Sequence, residues 1–347
     1  MNNNDKIFFE LKLKIAKALM YGINVKEFLE QLITIENQLE NFFKAEKLQE
    51  FYFNRIFIKS NKKIAVSMIV KDEEDILEAT LQNVSIFADE IVIVDTGSKD
   101  NTISIAKKYT DKIFTLEWNN DFSYARNYSL DKCDSDWILY LDADETLDEK
   151  SIPIIKDQIG KTKNNEGLLI TKIINIKENN KENYIGYYPR LFLNIGFPLL
   201  HFFGKIHEQI APSLINFGFE MVKSDIEIIH QGYNISNEDL AKKVKRNLEI
   251  LASHIQEEPT NGYTWYQLGN TLFQMNEYSQ CIEILDNALK CNNLTPFLSS
   301  NTALAIANSY YKLNEIDNAI KYCKQSIKYN PKNQVSNILL TKLLNLE

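Results

Sequence analysis

The apolar pattern changes period at Lys62, and that change limits the fold more than any other feature of the chain. Ile64–Val70 (IAVSMIV) is an unbroken run rich in β-branched residues, as a strand buried on both faces of a parallel sheet requires. Residues 90–94 (EIVIV), 112–116 and Trp137–Leu141 (WILYL) repeat the signal, and helix-like segments lie between them at 74–87, 102–109 and 122–133. This alternation predicts a doubly wound α/β domain, whose functional residues gather where the strands end.

Helical patterns flank this centre. In residues 5–58, Phe8, Leu11, Ile15 and Leu19 recur at helical spacing, as do Phe28, Leu32, Ile35 and Leu39, followed by an aromatic-rich group at Phe51, Tyr52, Phe53 and Phe57. A bundle packed on the α/β domain and a face for a homodimer or another partner both suit that pattern. Residues 171–229 read as irregular, with short strand-like pieces and turns. One amphipathic helix is expected over residues 236–255, started by Ser236 and Asp239. The tail then repeats itself. Trp265, Leu268, Gly269, Leu272, Cys281, Leu285 and Ala288 take the spacing of a tetratricopeptide helix pair, and Ala303, Ile306, Ala307, Tyr310, Ala319, Cys323 and Pro331 form a second. Cys281 and Ala319 are 38 residues apart; the usual period is about 34, so roughly four residues are inserted near 293–301. The expected domains are a helical extension over 1–60, the α/β domain over 61–235, and a connecting helix with repeats over 236–347.

Composition excludes several classes. Among 347 residues, 39 basic against 47 acidic side chains leave a net charge of −8, which speaks against a broad nucleic-acid surface. Four scattered cysteines with no CxxC pair suit a reducing, cytoplasmic setting. No segment has the apolar length of a membrane span or signal peptide, and residues 197–203, broken by Pro198 and His201, read as loop or core.

Chemistry concentrates in three places. Leu141-Asp142-Ala143-Asp144-Glu145 ends a buried strand in acids. In an extended segment Asp142 and Asp144 point to one side, and paired carboxylates with open positions suit Mg2+ or Mn2+ held jointly with a diphosphate. Asp95 ends another strand ahead of Gly97, where it can accept from a base or a ribose hydroxyl. Asn119-Asn120-Asp121-Phe122-Ser123-Tyr124-Ala125-Arg126-Asn127 opens a helix, and Arg126 suits a phosphate or carboxylate as well as a plain ion pair with an acid. No GxGxxG, GxxxxGK[ST] or GxSxG motif is present, which argues against dinucleotide, P-loop and α/β-hydrolase sites.

Taken with SMIVKDEE at 67–74, DEIVIVDTGSKDNT at 89–102 and DWILYLDADE at 136–145, these segments resemble the GT-A glycosyltransferases of family 2. FGKIHE at 203–208 and IHQGYN at 229–234 extend the resemblance to the bacteriocin peptide S-/O-glycosyltransferases. The resemblance implies a Rossmann-like GT-A nucleotide-sugar domain with an N-terminal helical extension and a C-terminal TPR-like region. The implied donor is a UDP-sugar, UDP-glucose or UDP-N-acetylglucosamine, and the implied acceptor is Cys or Ser of a precursor peptide. Donor contacts fall on Lys71, Asp72, Glu73, Asp95, Asp121, Arg126, Asn127 and Asp142, and the metal contact on Asp144. His230, a lone histidine after the apolar run EIIH, reads as an additional metal ligand or as a structural histidine. Inverting transfer needs a base, with Glu208 first and His207 second; being adjacent, only one of the two faces the acceptor from an extended segment. Donor motifs do not report the acceptor, so a carbohydrate or lipid-linked acceptor stays open, as does a catalytically silent peptide-binding scaffold.

Overall fold

The computed structural model describes residues 63–163, 165–176, 184–231 and 237–345. The helices expected within residues 5–58 lie outside the described residues. The chain divides into two compact units, the first running to Phe203 and resuming at Glu208–Ile235, the second taking Gly204–His207 and the chain from Ser236.

In the first unit, β1 (Ile64–Val70), α1 (Leu77–Val84), β2 (Glu90–Asp95), α2 (Thr102–Ala106), β3 (Ile113–Thr115), α3 (Phe122–Leu130) and β4 (Trp137–Leu141) follow the expected alternation. β5 (Glu145–Leu147), α4 (Ile155–Lys161), β6 (Glu166–Asn175), β7 (Tyr184–Leu193), α5 (Ala211–Ile215) and β8 (Glu220–His230) complete it. Eight strands form one sheet in the order β3-β2-β1-β4-β7-β6-β8-β5. The first four are parallel, β7 joins β4 antiparallel, and the remainder is mixed. Burial explains the apolar runs: Ile64, Ala65, Val66, Met68, Ile138 and Leu139 are wholly enclosed, as the central strands of a sheet covered on both faces must be.

One reading changes and another narrows. Residues 171–229 are not mainly short pieces, because β6 and β7 run for ten residues each and β8 for eleven. Register shifts at Leu169/Ile170 and Ile170/Lys172 interrupt the alternation by which long strands are recognised. The 197–203 patch is core: Phe197, Leu199, Leu200 and Phe202 are each at most 4% exposed.

The second unit is helical: α6 (Asn237–Glu257), α7 (Gly262–Gln274), α8 (Tyr278–Lys290), α9 (Pro296–Lys312), α10 (Ile316–Tyr329) and α11 (Gln334–Leu344). α7/α8 and α9/α10 are the two expected pairs, with Leu248 of α6 packed on the first and Leu343 of α11 on the second. α9 has 17 residues against 13 in α7, so the inserted residues lengthen a helix. Gly269 faces Leu285 so closely that a Cβ there would lie 2.2 Å from Leu285 Cδ2, which is why the crossing takes a glycine.

Candidate active site

The parallel register brings the ends of β1, β2 and β4 to one sheet edge, with Val70 beside Asp95 and Met68 beside Leu141. The loops leaving β1 and β2 interlock there. Asp72 N–H donates to Ser98 Oγ (2.9 Å), Lys99 N–H to Asp72 Oδ1 (2.7 Å), Glu73 N–H to Thr102 Oγ1 (2.7 Å) and Asn101 N–H to Glu74 Oε2 (3.0 Å). Asp95 is buried and accepts from Gly97 N–H (3.2 Å) and Ser98 N–H (3.1 Å), while Gly97 takes φ +107° to close the turn. Its carboxylate therefore builds the turn, and only its remaining lone pairs can meet a ligand. Lys71 and Asp72 lie exposed beside it.

The acidic run after β4 is a turn and not an extended segment, so the expected i, i+2 geometry does not hold. Glu145 N–H donates to the Asp142 carbonyl (3.1 Å), and Asp142 N–H donates to Glu145 Oε2 (2.9 Å). Helix α1 fastens the turn from outside: Thr80 Oγ1 donates to the Ala143 carbonyl (2.6 Å), and the Asn83 amide spans both Leu147 backbone groups at 2.9 Å. Asp142 and Asp144 consequently take different partners.

Asp142 accepts from Arg126 Nη2 at 2.7 Å, and Arg126 Nε donates to Glu208. Arg126 also lies over the Tyr140 ring (4.8 Å) and the Phe202 ring (5.8 Å). A buried guanidinium must be paired, and this one engages two acids within the unit through Nε and Nη2. Burial alone would raise the Asp142 carboxyl, but the Arg126 and Arg190 charges outweigh it and hold Asp142 well below the usual carboxylate range.

Asp144 meets His230 instead, with His230 Nε2 3.1 Å from Asp144 Oδ2 and Nδ1 2.7 Å from Asn175 Oδ1. Burial pulls the imidazole pKa down, and the hydrogen bond and charge of Asp144 more than restore it, raising it above the ordinary 6.5. Nearby Glu73 is pushed up to about 7 by burial first and then by the charges of Asp144 and Asp142. Negative charge thus accumulates at this point.

Among the described residues no group of three or more His, Cys, Asp or Glu side chains forms a closed metal site. Asp144 and His230 make an open two-donor set instead, and that chemistry fits an ion that completes its shell from a diphosphate.

The remaining expected residues separate. Asp121 caps α3, its Oδ1 accepting from Tyr124 N–H (2.9 Å) and Ser123 Oγ (2.8 Å). Asn127 is buried and gives both ends of its amide to the Phe202 backbone, at 2.8 and 2.6 Å, so it anchors a loop. Glu208 engages Arg126 through Oε1, and Oε2 takes no hydrogen bond from the described residues. His207 is exposed with φ 54°, not extended, and its carbonyl accepts from Tyr263 Oη (2.9 Å) within the second unit.

Sequence reasoning missed Arg190, Glu145 and Asn175. Arg190 Nη2 donates to Glu145 Oε1 (2.7 Å) and sits over the Tyr140 ring at 4.3 Å. The β6–β7 register skips it, and that bulge turns a strand residue toward the acids. The available signal was an arginine inside an apolar strand, which must find a counter-charge when buried. Burial and Asp142 push the Glu145 carboxyl up to about 7 against the pull of Arg190.

Residues 65–210 match the family described as Glycosyl transferase family 2, and residues 263–293 and 301–333 match the tetratricopeptide repeat. The SPbeta prophage-derived glycosyltransferase SunS of Bacillus subtilis (strain 168) is 25% identical over 304 residues, 84% of this chain and 66% of SunS. A TPR repeat-containing protein of Synechococcus elongatus is 28% identical over 270 residues, 74% of this chain and 64% of that protein. The chain thus spans just under two thirds of the length of each relative. S. aureus TarS 1-349 in complex with UDP-GlcNAc aligns with a TM-score of 0.46 at 14% identity, covering 78% of this chain and 93% of that one.

Proposed function

We propose, from the premise that the chain carries a glycosyltransferase family 2 domain followed by tetratricopeptide repeats, that it moves a hexose from a UDP-sugar to Cys or Ser of a peptide, with inversion. The observation that carries this reading is the convergence of the β1, β2 and β4 loop acids with the Asp144–His230 pair and the Arg126–Glu208 pair in one compact unit. In this reading the interlocked loop of Lys71, Asp72 and Glu73, with Asp95 below it, receives the nucleotide. Asp144 and His230 hold Mg2+ or Mn2+, and the imidazole donor favours Mn2+. The ion supplies positive charge for the departing diphosphate.

Glu208 is the base. Arg126 holds Oε1, which fixes the carboxylate and presents Oε2 to the acceptor hydrogen. A thiol with pKa near ~8.5 makes a modest demand on that base, and a serine hydroxyl a larger one. His207, with a left-handed backbone, is the weaker choice. The peptide acceptor is supported by the repeats, whose class of surface binds extended chains, and by the family resemblance of the sequence. Four free cysteines suit a cytoplasmic setting. Among the described residues no helix is long and apolar enough to cross a membrane.

The test is intact-mass spectrometry of a peptide carrying one Cys and one Ser, incubated with the protein, Mn2+, UDP-glucose and UDP-N-acetylglucosamine. A hexose or N-acetylhexosamine mass gain that EDTA abolishes is expected, with fragmentation naming the residue. UDP release without peptide modification would overturn the peptide acceptor and redirect the reading to carbohydrate or lipid-linked acceptors. Neither UDP release nor mass gain would overturn transfer from these donors.

A further inference from the structure

We propose that Asn175 is a positioning residue for the cation-binding pair: by accepting the Nδ1 hydrogen of His230, it fixes the imidazole with its Nε2 lone pair facing Asp144. The proposal rests on the reading of Asp144 and His230 as metal donors. Asn175 ends β6, His230 ends β8, and the parallel register sets the two side by side. Asn175 is 5% exposed, and its Oδ1 lies 2.7 Å from His230 Nδ1. On the far side of the ring, Nε2 lies 3.1 Å from Asp144 Oδ2.

The tautomer follows from these contacts. With the Asn175 amide turned so that Oδ1 faces the ring, Nδ1 carries a hydrogen, because an amide oxygen only accepts. The protonated ring donates from both nitrogens, Nε2 to Asp144; once the ring is neutral, Nε2 is bare and its lone pair points at a carboxylate oxygen. Two lone pairs at that distance repel, and a cation joining them removes the repulsion. Without an acceptor at position 175, the neutral ring can move its hydrogen to Nε2 and donate to Asp144. That hydrogen bond would close the pair without any cation. Asn175 therefore keeps both donors open to an ion. Outer partners of metal-binding histidines act in this way, and their loss weakens metal affinity by roughly 10–100-fold.

Two measurements on the full chain test this. Mn2+ affinity in the presence of UDP is read by electron paramagnetic resonance, and the His230 tautomer by long-range 1H–15N NMR at a pH where the ring is neutral. The variants are Asn175→Leu, Asn175→Ala as a second removal if the leucine variant does not fold, Asn175→Asp, and His230→Ala. Removing the acceptor should weaken Mn2+ binding about 10–100-fold and move the hydrogen to Nε2. Asn175→Asp, which keeps an acceptor, should retain the Nδ1–H tautomer and bind Mn2+ within a few-fold of the native chain. Loss of binding in His230→Ala with native affinity in the acceptor-less variant overturns the role of Asn175 alone, as does a retained Nδ1–H tautomer in that variant. Native Mn2+ affinity in His230→Ala removes the metal reading itself.

Discussion

Arg126 and Glu208 stand 82 positions apart in the chain and meet as an ion pair between a buried guanidinium and a half-buried carboxylate, with Arg126 Nε donating to Glu208 Oε1. The same guanidinium holds Asp142 through Nη2, so one side chain fixes both the proposed base and the first acid of the turn after β4. Arg126→Met leaves Glu208 without its counter-charge and Asp142 with Arg190 alone, 3.8 Å away. Breaking a fully buried pair from one side costs about 3–5 kcal/mol, and the partial exposure of both carboxylates brings the cost here below that. A melting temperature lowered by several degrees, with transfer lost, is the expected result, and an unchanged melting temperature would refute the pairing as a stabilising contact.

Glu208→Gln keeps the shape of the carboxylate and removes its capacity to take a proton. Transfer should fall by about 10²–10⁴-fold. Binding of the UDP-sugar, measured by calorimetry, should stay within a few-fold of the native value. Undiminished turnover would exclude Glu208 as the base.

Asp144→Ala removes one of two proposed donors. UDP binding in Mn2+ should drop to the level seen in EDTA, while binding in EDTA stays the same for variant and native chain. A native response to Mn2+ in this variant would dismiss the metal assignment. Asp142→Ala differs in kind, because Asp142 is committed to Arg126, and its loss should be read first in stability.

Glu73 gives a pH signature. Burial and the charges of Asp144 and Asp142 raise its carboxyl from 4.5 to about 7, so the folded chain binds that proton more tightly than the unfolded one. The stabilisation is fully present below the unfolded value and is lost as pH rises through the folded value. Glu73→Gln mimics the protonated form. In EDTA, its melting temperature relative to the native chain should rise as the pH increases from about 4.5 to 7 and level off above; a constant difference across that window would count against the charge cluster.

Gly269→Ala tests the helix crossing in the second unit. Helix propensity favours alanine by about 1 kcal/mol. The added Cβ would fall 2.2 Å from Leu285 Cδ2 and 2.4 Å from its Cγ, so overpacking decides the sign. A net loss of about 1–2 kcal/mol is expected in chemical denaturation. A stabilised variant would show that Leu285 moves aside freely.

The local rules of the chain determined the parallel strands, their helices and the two repeat pairs. A strand enclosed on both faces must be continuously apolar, as in IAVSMIV and WILYL, and a closely crossed helix pair must carry small residues such as Gly269. Strand ends also pointed to Asp95, Asp142 and Asp144, since side chains there emerge at one sheet edge. Partner choice was not legible. Whether Arg126 meets a ligand or an acid depends on Glu208 arriving from 82 positions away, and Asp144 finds His230 across 86. Arg190 reaches Glu145 through a bulge, and Asn175 reaches His230 through a parallel register between distant strands; neither has a local pattern. Period and spacing express short-range geometry, whereas the pairing of buried charges is decided only when tertiary packing removes them from water and leaves each to find a counter-charge.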